Sequence, residues 1–122
     1  MLGKLGSLIF VATALASAAS WSGALVDSRC YQSEENNVNP HDTLINVDRD
    51  RGLEIRFCSP GHKTKSFAVV DRDGLSFKLD AGGNTKAADL VQKTGKKPLY
   101  IVALTGEKSK DTVKVGSISL LR

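Results

Sequence analysis

The sequence predicts a mainly β protein: a small five-stranded barrel with one helix between strands 3 and 4 and a long Cys/His-bearing insertion after strand 1. Three observations lead there. Short apolar segments broken by turn residues run from residue 21 to the end. Among the later segments only "TKAADLVQKTG" (85–95) carries both the start and the stop signals of a helix. A polar, irregular stretch (30–52) separates the first strand-like segment from the rest.

Residues 1–20, "MLGKLGSLIFVATALASAAS", stand apart from the fold. One early cation, Lys4, precedes an apolar run over 8–15, and the small residues "ASA" follow. That is the pattern of a secretory signal peptide, with cleavage expected after Ala18 or Ser20. The apolar run is too short to span a bilayer. No cysteine sits near the cleavage site, so no lipid anchor is expected, and no second hydrophobic segment follows. Residues 21–122 then form a single domain, exported to the periplasm or the extracellular space, with no transmembrane segment in the mature chain.

The elements follow in order. "WSGALVDS" (21–28) reads as the first strand, with Gly23 allowing a bend or bulge. Within the insertion, "SEENNVNP" is the least structured part. "NPHD" suggests a short helix with Asn39 as N-cap, Pro40 at its first position, Asp42 in its first turn and Gly52 at its end. "LEIRF" (53–57) alternates apolar and polar residues as a half-buried strand does. "SFAVV" and "LSFKL" flank "DRDG", a β-hairpin whose turn uses Gly74, with Leu75, Phe77 and Leu79 facing the core. "GGN" (82–84) is a break. Asn84 or Thr85 then caps the helix, Ala88, Leu90 and Val91 form its apolar side, and Gly95 ends it. "PLYIVALTG" (98–106) is apolar on both faces. "DTVKVGSISLL" (111–121) changes phase at Gly116, because Val113 and Val115 share one face while Ile118 and Leu120 fall on the other, so a β-bulge belongs there. "GEKSKD" joins these last two strands. Five strands with a helix between the third and fourth is the order of the OB-fold.

Charge is uneven along the chain. Without Lys4 the mature chain has 16 cations and 13 anions, a net of +3. Residues 27–58 carry seven acids and four bases, and residues 59–122 twelve bases and six acids. A basic half attracts phosphate, anionic glycans or a membrane surface, or simply solvates the molecule.

The chain resembles small exported bacterial proteins of OB-like architecture and unknown function. Those chains open on a G-x-(hydrophobic)-x-D-S-x-C strand, here "GALVDSRC". A His/Cys-bearing segment follows, then a "YVLV-x-DGKVYKL"-like hairpin, here "SFAVVDRDGLSFKL". They close on a "VTG…TIKVxSI"-like hairpin, here "ALTGEKSKDTVKVGSI". The chain departs in the middle: where a second Cys is expected three residues beyond the first, Cys58 is followed by His62. The resemblance implies the barrel and no established activity.

The residues that carry chemistry are few. The only two cysteines, Cys30 and Cys58, sit in an exported chain and point first to a disulfide. It would close a loop of 28 positions, worth about 3 kcal/mol in the chain-entropy account. A metal site of Cys30, His41, Cys58 and His62, a Cys58–His62 catalytic pair, and unpaired thiols remain as alternatives. "DRDG" lacks the later ligands of a calcium loop, and "TGKK" (94–97) lacks the glycine pattern of a phosphate loop.

The function expected is a non-enzymatic binding or interaction module, with no cofactor. Tyr31, Lys63, Lys65, Phe67 and Lys78 would form its ligand face, since OB barrels bind on strands 2 and 3. Trp21 is a further candidate for an exposed aromatic. The partner would be a glycan, a small ligand or an envelope protein; nucleic acid is not expected of an exported chain. The alternative is a metal- or redox-responsive envelope protein that uses Cys30, His41, Cys58 and His62.

Overall fold

The computed structural model describes residues 19–35 and 44–122. Its elements are β1 (Ala19–Asp27), α1 (Ser28–Glu35), α2 (Leu44–Phe57), β2 (Phe67–Val70), β3 (Ser76–Leu79), α3 (Ala81–Thr94), β4 (Ile101–Ser109) and β5 (Thr112–Leu120). The strands close into a barrel in the order β1-β2-β3-β5-β4, the five-stranded OB-like architecture that the segment order predicts. All pairs are antiparallel except β3 with β5, which run parallel with Leu79 opposite Val113.

The hairpin after β2 forms as its sequence requires. Val69 lies opposite Phe77. Asp71 Oδ1 accepts from the Asp73 and Leu75 amides at 2.9 Å each, and Gly74 takes φ +86°. Leu75 departs from expectation: it belongs to the turn, ahead of the barrel wall, and is exposed. The bulge is where the phase slip puts it. Thr105 pairs with Ser117 and Gly106 with Val115, leaving Gly116 unpaired. That extra residue turns Ile118 and Leu120 back onto the same core as Val113 and Val115.

The helix α3 starts earlier than "GGN" suggests. Asp80 is its N-cap and accepts from the Gly83 amide at 2.9 Å, so both glycines lie in the first turn. Asn84, released from capping, accepts from the Phe67 amide at 2.9 Å and ties α3 to β2. Gly95 ends the helix, its amide donating to the Val91 carbonyl. Ala87 and Val91 are buried against the barrel interior, with Ala88 and Leu90 beside them.

The insertion differs most. "SRCYQSEE" is helical, not irregular, because Asp27 Oδ1 accepts from the Arg29 and Cys30 amides at 3.1 Å each and starts α1 where β1 stops. "LEIRF" is the end of α2, not a strand, and Gly52 does not stop that helix. The Cys58 amide donates to the Glu54 carbonyl at 2.9 Å, which closes the last turn. Both edges of every barrel strand are already paired, so a sixth strand has nowhere to add. The expected helix start at Asn39, Pro40 and Asp42 lies outside the described residues.

Two cores result. Leu25, Phe67, Val69, Leu79, Val102, Leu104, Val113 and Tyr100 fill the barrel interior. Tyr100 hydroxyl donates to the Gly95 carbonyl and accepts from the Lys97 amide, so its buried oxygen is satisfied. The second core lies outside the barrel. Val26, Ala68 and Val70, on the opposite phase of β1 and β2, pack with Tyr31, Cys58, Cys30 and Ile55 of the insertion. Every residue of β2 is therefore buried, on both faces. No helix among the described residues is long and apolar enough to cross a membrane.

Candidate functional site

The insertion is fastened at its two ends. Cys30 on α1 and Cys58 after α2 form a disulfide with their Cα atoms 5.5 Å apart. The Asp27 amide donates to the Cys58 carbonyl at 2.8 Å. Ser28 adds two bonds to Ser66, its amide donating to the carbonyl at 3.1 Å and its hydroxyl to the partner hydroxyl at 2.8 Å. Thr64 hydroxyl donates to Asp27 Oδ2 at 3.1 Å. The "DSRC" motif is thus a clasp: a cap, a hydroxyl tie and half of a staple.

With both sulfurs bonded to each other, neither is a thiolate that could ligate a metal or attack a substrate. His62 is exposed on the loop before β2, its Nδ1 3.0 Å from Gln92 Oε1 of α3. His41 lies outside the described residues.

The expected ligand face is not assembled. Phe67 is in the barrel core and Tyr31 in the outer core, each almost fully buried. Burial, with the carboxylates of Glu35 and Glu54 behind it, pushes the Tyr31 hydroxyl up to about 12. Lys63, Lys65 and Lys78 are exposed, the first two on the loop before β2 and the third on β3. The physical reason is the insertion itself: α1 and α2 cover the outer side of β2, which an open OB barrel would present to a ligand.

What remains open beside the insertion is a groove of about 400 Å3. Its floor is apolar: Gly23, Ala24, Val70, Ile55, Leu99 and Ile101. Gly23 is required there, since a Cβ would stand 2.5 Å from the Val70 carbonyl oxygen. Its charged lining is Arg56 at the end of α2, Arg72 in the β2–β3 turn, Arg122 after β5, and Asp71. Asp71 Oδ1 is committed to the turn amides. Among the described residues no carboxylate pairs with Arg56, Arg72 or Arg122. Arg122 is held in place by the Ile101 amide, which donates to its carbonyl at 2.8 Å.

Sequence reasoning missed these arginines, and a signal was present. Ten of the twelve bases after residue 58 are lysines; the two arginines, Arg72 and Arg122, both line the groove. Where solubility alone decides, lysine serves, whereas a planar fork of donors serves an oxyanion.

No family model, curated protein or solved structure matches the chain.

Proposed function

We propose that this chain is an exported, non-enzymatic binding module that holds a carboxylate- or sulfate-bearing small ligand, such as an acidic sugar, in the groove between α2 and β1. One observation carries the reading: three guanidiniums that pair with no carboxylate among the described residues line an apolar-floored groove of about 400 Å3. That volume falls in the range of small-molecule sites. Guanidiniums bind carboxylates and sulfates bidentately, and at neutral pH they neither give nor take a proton, so the chemistry suits holding rather than turnover. The apolar floor matches the carbon face of a sugar ring. Export is supported by the N-terminal pattern of residues 1–20 and is compatible with the Cys30–Cys58 disulfide. The resemblance of "GALVDSRC" and the two hairpins to small exported bacterial OB-like proteins of unknown function supports export and says nothing of the ligand.

Calorimetric titration of the mature chain with digalacturonate, a sulfated disaccharide and a neutral disaccharide tests it. The acidic sugars should bind and the neutral one should not. Arg56→Ala and Arg72→Ala should each weaken binding about tenfold, the value of one lost charge-assisted contact. Equal binding of the neutral sugar, or variants indistinguishable from the parent, would contradict the proposal.

A further inference from the structure

A second feature of the barrel lies at its mouth and has the opposite charge preference. Trp21 on β1 and Phe77 on β3 are partly buried and pack against the interior core. Lys108, exposed on the β4–β5 hairpin, extends over both rings. Its Nζ stands 4.1 Å from the Phe77 ring centre and 5.0 Å from that of Trp21. Both lie inside the distance at which a ring face attracts a cation. Among the described residues no carboxylate pairs with that ammonium. Beneath the rings is a cavity of only about 10 Å3, lined by Trp21, Phe77, Asp71, Val69, Leu104 and Val113 among others. The space is too small for a ligand body, so anything bound there sits where the ammonium sits.

The two rings are fixed by the barrel, whereas Lys108 reaches them on a long exposed stem. The site is therefore rigid and its occupant is not. A primary ammonium is strongly hydrated and loses much on leaving water. A quaternary ammonium is weakly hydrated, has no N–H to leave unpaired and is the cation that paired aromatic faces hold best. Asp71 also borders this cavity.

We propose that the Trp21–Phe77 cleft is a binding site for a quaternary-ammonium group, and that Lys108 is its resident surrogate and competitor. The inference stands on the two aromatic rings and on a charge opposite to that of the arginine groove; Ser22 and Asp71 border both sites, and neither proposal depends on the other.

Trp21 is the only tryptophan in the chain, so its emission reports on the cleft alone. The mature chain and its Lys108→Met variant are titrated with tetramethylammonium chloride, with sodium chloride as the ionic control. The parent should give a weak saturable change and Lys108→Met one at least tenfold tighter, with sodium giving neither. Phe77→Leu keeps the apolar bulk and should lose the response while retaining the parent's thermal transition. Choline and phosphatidylcholine vesicles distinguish the source of the headgroup. A response to choline without vesicle sedimentation assigns a free ligand, and co-sedimentation with the vesicles assigns a lipid-borne one. A Lys108→Met response that never saturates, equals the sodium control, or survives unchanged in a folded Phe77→Leu variant would overturn the proposal.

Discussion

The Asp27 amide donates to the Cys58 carbonyl at 2.8 Å, next to the disulfide that joins Cys58 to Cys30. The end of the insertion is thus fastened twice, to the end of β1 by a hydrogen bond and to α1 covalently. The barrel interior is a separate core from the one beneath the insertion. Cys30→Ser/Cys58→Ser should therefore keep the barrel and loosen α1 and α2. The expected loss is about 3 kcal/mol, the loop-closure contribution for a span of this length. Denaturant unfolding with and without reductant measures it, and amide exchange should rise first at Ile55 and Tyr31. Collapse of the whole barrel on reduction would show that the two cores are not separable.

Asp80 caps α3 and also accepts from the Val115 amide at 3.2 Å, so one carboxylate ties the helix to β5. These amides, Val115 first and Gly83 second, hold its carboxyl below the ordinary carboxylate value. A carboxyl lowered by folding contributes stability above its unfolded pKa, and that contribution is lost as pH falls through the folded value. Asp80→Ala should cost about 1 kcal/mol at neutral pH, as a lost N-cap does. The gap between variant and parent should narrow below about pH 4, near the unfolded carboxyl value. Thermal unfolding from pH 3 to pH 7 checks both; a gap independent of pH would contradict the charge argument.

Gly74 meets two demands at once. Its φ is +86°, and a Cβ there would come 2.3 Å from the Arg51 Cζ. The guanidinium, which has interactions of its own, would have to shift, and the backbone angle cannot change without opening the turn. Gly74→Ala should cost roughly 1–2 kcal/mol, the price of a left-handed angle for an L-residue. Equilibrium unfolding of the variant measures it, and a neutral result would show the turn to be plastic.

How much of this was legible depends on whether the deciding contact was local. The "DRDG" turn and the Gly116 bulge are specified by a few adjacent residues, and both form as read. The five-residue alternation at 53–57 fits a strand. It equally places Leu53 and Phe57 four apart on one exposed side of a helix, with Ile55 turned to the outer core. What decides is the closed barrel, which leaves no free strand edge, and that is a property of the whole chain. Asp27 shows the same limit. It ends a strand and caps a helix with one carboxylate, so the junction has no spacer to mark it. The cysteine pair was legible because the chain has two cysteines and an N-terminal pattern that reads as an export signal. The ligand face was not, because Phe67 and Tyr31 lie on suitable segments and only the packing of α1 and α2 on β2 removes them from solvent.

The insertion closes the outer face of β2, and on the proposed function a ligand lies instead in the arginine groove. A heteronuclear NMR titration of the labelled chain with digalacturonate tests that placement. Saturable shifts are expected at Gly23, Ala24, Arg56, Val70 and Arg72, which line the groove. Lys63, Lys65 and Lys78 should not move. Shifts centred on those three lysines, with the groove amides unmoved, would contradict it.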